Sequence, residues 1–188
     1  MKRRRIFLAI NLPDSIKKKL MSFQEKWFDL PVLWTKKDNL HITLVFIGYV
    51  SDEEMLEICH LAKEVIGKYN SFEIKLNRIC LGPPNRPARM IWVEGQAKND
   101  LARLKDDLEK ALLNSSKSGF NQAENRSFKI HITLARIKHQ LWQVLPDKPE
   151  IDEELNLNFL AESVEVMESH LSRGGAEYAV LESIKLGK

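Results

Sequence analysis

Apolar positions along the chain fall into short alternating runs, interrupted by three stretches with helical spacing. The first run, "RRIFLAINL", reads as a buried strand stopped by "PDS". Asp14 or Ser15 is placed to cap a helix in which Ile16, Leu20, Phe23 and Trp27 recur on one face. "PVLWT" follows as a short strand. "NLHITLVFIG" is a longer one, rich in β-branched and aromatic residues and ended by Gly48. Ser51 and Glu54 form a capping box for a second helix, whose apolar stripe is Met55, Ile58, Ala62, Val65, Ile66 and Tyr69. "FEIKLNRICLG" alternates as a strand with Phe72, Ile74 and Leu76 on one face. The Pro-rich "PPNRPAR" leads into another strand, "RMIWVEG". A third helix is expected from about Asn99 to Leu113, presenting Leu101, Leu104, Leu108, Ala111 and Leu112.

A polar loop over 114–127 precedes "FKIHITLARI", the next strand. Segment 138–155 is rich in proline and charge, with room for a short helix near Leu141–Leu145. Two final strands, "SVEVMES" and "EYAVLESIKL", are joined by the turn "RGG". Short strands with hairpin neighbours, interleaved with three helices, predict the α+β class rather than a regular parallel sheet. Strand–helix–strand ending on an "HITL" strand occurs once in each half, the outline of an internal pseudo-repeat.

Composition changes this picture little. A length of 188 residues suits one domain, 1–188, with a core of its own. The net charge of +3 would suit a polyanionic ligand without requiring one. Cys59 and Cys80 lack CxxC spacing and are expected as reduced thiols of a cytoplasmic protein. Basic residues precede apolar ones at the start, but the run Ile6 to Ile10 is short and Asn11 and Pro13 interrupt it. A first strand is therefore expected there rather than a signal peptide, and no window has the length of a membrane span.

Candidate chemistry lies in the duplication "LHITL" at 40–44 and "IHITL" at 130–134. A chance match of this kind among five histidines has odds of roughly a few per thousand. Strand alternation puts His41 and Thr43 on one face and Ile42 and Leu44 on the other. The same holds for His131 and Thr133 against Ile132 and Leu134. The aliphatic residues belong in the core, so the His–Thr faces meet solvent, a cleft or each other. A structural role is the ordinary one for a single strand histidine; the repetition favours function. A metal site lacks support, because no HxH or HxxxH spacing and no carboxylate two residues from either histidine supplies further ligands. Two facing imidazoles suit paired acid–base chemistry, one ring accepting a proton while the other donates. Phosphodiester hydrolysis needs both, and threonine hydroxyls can hold the non-bridging oxygens.

Carrying these two motifs, the chain resembles the two-histidine (2H) phosphoesterase superfamily, and within it the RNA 2′,3′-cyclic phosphodiesterases also called 2′-5′ RNA ligases. "RIFLAINLP", "VLWTKKDNLHITLVFIG", "ARMIWVEG", "FKIHITLAR" and "LSRGGAEYAVL" are similar to successive parts of that family. The resemblance implies a two-lobed α+β fold with antiparallel sheets around a central cleft. It also implies cofactor-free and metal-free opening of a terminal 2′,3′-cyclic phosphate to a 2′-phosphate, on RNA ends or small cyclic nucleotides, by a monomer. On the family pattern His41 gives a proton to the leaving 3′-oxygen, His131 accepts one from water, and Thr43 and Thr133 hold the phosphate. Arg136 matches a family arginine that could bind phosphate, although strict alternation places it on the aliphatic face. Alternatives are a non-catalytic RNA- or nucleotide-binding module, and ligation or cleavage of 2′-5′ linkages in the same cleft.

Among other residues, Trp34 could stack on a base, whereas Phe46, sharing the face of Ile42 and Leu44, is expected in the core. His60, His139 and His170 are expected at the surface, and Lys17–Lys19 on a solvated helix face. "KRRR" at 2–5 and "KK" at 36–37 could attract an RNA backbone.

Overall fold

The structure is a computed structural model that describes residues 3–84, 86–97, 99–121, 128–172 and 175–187. Strand β1 (Arg4–Asn11) leads into helix α1 (Asp14–Lys26), then β2 (Val32–Trp34), a 3-10 turn (Lys37–Asn39) and β3 (His41–Val50). Helix α2 (Asp52–Ile66), β4 (Phe72–Gly82), β5 (Met90–Ala97) and helix α3 (Asp100–Asn114) follow. The second motif lies on β6 (His131–Ile137), after which come α4 (His139–Gln143), β7 (Asp152–Ala161), β8 (Ser163–Ser172) and β9 (Gly175–Lys185).

The strands form two antiparallel sheets, ordered β3-β1-β8-β9 and β2-β6-β5-β4-β7. The architecture is α+β, as the alternating pattern predicts. β3 and β6 approach each other where the sheets meet, and α2 packs on α3. One apolar cluster runs through both halves: Ile6, Leu8 and Ile10 of β1, Ile42 and Leu44 of β3, and Ile132 and Leu134 of β6 all belong to it.

A bulge in each motif strand decides which later residues face outward. On β3, Leu8 pairs with Val45 and Ala9 with Thr43, which leaves Leu44 as the extra residue. On β6, Ile91 pairs with Ala135 and Trp92 with Thr133, which leaves Leu134 extra. The bulge falls on the leucine of "HITL" both times. Two consecutive residues, Leu44–Val45 and Leu134–Ala135, are then buried, and the alternation resumes with opposite parity.

Several expectations are corrected. β3 continues through Gly48, whose φ of +99° accommodates a second irregularity in the pairing with β1. Pro13 occupies the N-cap of α1 with no side-chain cap, while the Asp14 carboxylate pairs instead with Lys18 and Lys37. The Ser51–Glu54 capping box of α2 is present as read. Segment 138–155 contains α4, slightly earlier than expected, and the start of β7, an edge strand absent from the expected elements. Lys17 is buried rather than solvated. Residues 122–127 of the polar loop and Arg173 and Gly174 of the final turn lie outside the described residues. Among the described residues, no helix is long and apolar enough to cross a membrane.

Candidate active site

A cleft of about 700 Å³ lies between the two sheets, and all six residues singled out in the sequence line it: Trp34, His41, Thr43, His131, Thr133 and Arg136. The two histidines are held alike. Nδ1 of His41 lies 2.7 Å from the carbonyl oxygen of Asn39, and Nδ1 of His131 lies 3.1 Å from that of Lys129. In each motif the imidazole is thus tied to the backbone two residues earlier. A carbonyl only accepts, so Nδ1 carries the proton and Nε2 is left for chemistry. Nε2 of His41 meets Oγ1 of Thr43 at 3.0 Å. Oγ1 of Thr133 contacts Sδ of Met90 at 3.8 Å, a weak acceptor.

The surroundings of the two rings differ. His41 sits among aromatic side chains, with Phe7 tilted at 5.1 Å and Tyr178 edge-on at 5.0 Å. Asn39 Nδ2 donates to the Ala176 carbonyl at 2.6 Å, which pins the turn holding His41 to β9. Burial pushes the His41 imidazole down from 6.5 to about 4; the Asn39 bond opposes this, and the charges of His131 and Lys17 add to it. His131 instead stacks on Trp92, with ring centroids 4.3 Å apart and planes 30° apart.

This depressed value links the site to stability. His41 is neutral in the folded chain down to about pH 4 but takes a proton near 6.5 once unfolded, so the unfolded state binds more protons between those values. Stability is therefore full above pH 6.5 and falls as the pH drops towards 4, by roughly 3 kcal/mol at most. Urea unfolding at pH 7.5 and pH 5 should show His41→Gln losing less stability on acidification than the unaltered protein.

Two residues are oriented differently from expectation. The bulge at Leu134 turns Arg136 off the aliphatic face and into the cleft. The matching bulge at Leu44 brings Phe46 out of the expected core; it is 52% exposed and lines the cleft, with the Arg5 guanidinium 4.9 Å over its ring. Phe46 and Arg136 thus occupy the same place in the two motifs, five residues past each histidine. Lys36 lines the cleft and pairs with Glu177 at 3.3 Å, whereas Arg4 is engaged by Asp52 and Glu168. His60 pairs with Glu64 on the surface, and His139 and His170 are exposed there too. Among the described residues, no three His, Cys, Asp or Glu side chains gather as a metal-ligating group.

Comparison with known proteins places the chain among phosphoesterases. The family model described as LigT like Phosphoesterase matches residues 10–92, a span that includes the first motif. The RNA 2′,3′-cyclic phosphodiesterase of Methanocaldococcus jannaschii is 30% identical over 94% of this chain and 98% of its own. A solved structure from Thermus thermophilus is similar with a TM-score of 0.83 at 25% identity, covering 98% of this chain and 99% of that one. E. coli LigT in complex with 3′-AMP is similar with a TM-score of 0.78 at 27% identity, covering 100% of both chains. By its 30% identity to a relative matched over nearly its whole length, the chain belongs to the LigT-like phosphoesterase family.

Proposed function

We propose that the protein hydrolyses the 2′,3′-cyclic phosphate at RNA ends, and in small cyclic nucleotides, to a 2′-phosphomonoester without a metal ion. The observation that carries this reading is the pair of His–Thr motifs lining one cleft, each imidazole fixed through Nδ1 so that Nε2 is left for proton transfer. His131 takes a proton from water as the water oxygen attacks phosphorus. The bond from phosphorus to the 3′-oxygen breaks, and His41 gives that oxygen its proton, leaving the phosphate on the 2′-oxygen. One proton enters the pair and one leaves, so a turnover ends with the roles of the rings exchanged until solvent resets them.

The remaining residues suit a phosphate flanked by a base. The Thr43 and Thr133 hydroxyls, engaged here with an imidazole nitrogen and a thioether, turn to the non-bridging oxygens, where charge is concentrated. Arg136 adds positive charge to the same cleft. Trp34 and Phe46 offer aromatic faces on which bases stack. Burial favours the neutral form of His41, and the negative charge of a bound phosphate favours its protonation, readying it to donate. The reading is tested by turnover of a small 2′,3′-cyclic nucleotide with and without EDTA. Equal rates are expected; strong inhibition by the chelator, or binding without turnover, would overturn it.

A further inference from the structure

Trp92 is buried, yet it belongs to neither apolar cluster of the core and does not line the cleft. It lies beside the second motif on the neighbouring strand β5, paired with Thr133 and next but one to Glu94, which is paired with His131. Its indole lies against the His131 imidazole with centroids 4.3 Å apart, and its Nε1–H points to Sδ of Met90 at 3.4 Å. Gly82, its near neighbour on β4, leaves the space that the indole fills. A Cβ at position 82 would fall 2.3 to 2.8 Å from three atoms of the indole, closer than real contacts allow. The chain thus keeps a glycine on one strand so that an aromatic ring on the next can pack, tilted by 30°, against a histidine.

We infer that Trp92 is a positioning residue for His131: its indole face fixes the imidazole with Nε2 towards the cleft and stabilises the positive charge the ring takes on with the proton. The inference rests on His131 being the proton acceptor. As water gives up its proton to Nε2, the ring becomes an imidazolium, and the electron-rich face of an indole attracts a cation at this range. The attraction is stronger in the transition state than in the free site, so it acts on kcat rather than on substrate binding. The charged and titratable groups on its strands and in its cleft are Glu94 opposite it on β5, Arg136 further along β6, the exposed Lys129 two residues before it, and His41, Arg5, Lys36 and Tyr178 of the cleft lining. None of these is altered by a change at Trp92.

The test is kinetic, on a small 2′,3′-cyclic nucleotide. Trp92→Leu should lower kcat about fivefold while KM stays within about twofold, and Trp92→Phe, which keeps an aromatic face, should recover most of the loss. Gly82→Ala, which drives the indole from its seat, should reproduce the kcat defect with Trp92 still present. In a His131→Ala background, Trp92→Leu should cost little more, since its effect passes through the missing ring. Where the leucine variant fails to fold, Trp92→Met takes its place. An unchanged kcat, an effect confined to KM, equal losses for Leu and Phe, or an undiminished loss in the His131→Ala background would overturn the inference. Near-normal turnover by His131→Ala alone would instead overturn the catalytic reading on which it rests.

Discussion

Alanine at His131 should lower kcat on a 2′,3′-cyclic nucleotide by about 10³-fold, and alanine at His41 should do the same. Each change removes one of two proton transfers on which the reaction depends, and water in the cleft replaces a fixed imidazole poorly in either direction. The double variant should lose little beyond either single one, because the two rings act as a unit. Substrate binding should suffer much less than turnover, since Thr43, Thr133 and Arg136 remain in place. Neither histidine belongs to the apolar clusters of the core, so circular dichroism should be unchanged in all three variants. A single variant that kept near-normal turnover would show that the histidines do not work as a pair.

The second large effect separates donor from acceptor. A pH–rate profile cannot do so, because either assignment requires one proton shared between two coupled rings and gives the same bell. A change of leaving group can. On bis(4-nitrophenyl) phosphate the departing nitrophenolate needs no proton, so His41→Ala should lose less than about tenfold, whereas His131→Ala should still lose about 10³-fold. The reverse pattern would exchange the roles. That comparison has particular force here because burial favours the neutral form of His41, while His131 rests on an indole face suited to a cation.

Much of this site was legible in the sequence because a strand sorts its residues by parity. "HITL" written twice divides into Ile and Leu for the core and His and Thr for a cleft, and that division holds at both copies. The same rule misplaced Phe46 and Arg136, because a bulge at each motif leucine inverts the parity beyond it. A signal was present: "LV" and "LA" each set two aliphatic residues in succession where strict alternation calls for one. Strand β7 was similarly visible in Leu155, Leu157, Phe159 and Ala161 at alternate positions, but acidic residues and nearby prolines masked it. Lys17 resembled its exposed neighbours because helical spacing alone does not report what lies beside the helix; here it is close enough for its charge to act on His41. Long-range pairings were out of reach in principle. Nothing local to Tyr178 points to His41, and nothing local to Gly82 points to the indole it accommodates.

The paired-histidine reaction is tested most directly by following an RNA oligomer with a terminal 2′,3′-cyclic phosphate by phosphorus NMR, using the unaltered protein, His41→Ala and His131→Ala at equal concentration. The unaltered protein should convert the cyclic signal wholly to a 2′-phosphomonoester, and neither variant should do so on the same timescale. A 3′-phosphate product, a cyclic end bound but left intact, or conversion by either variant at the unaltered rate would contradict the account.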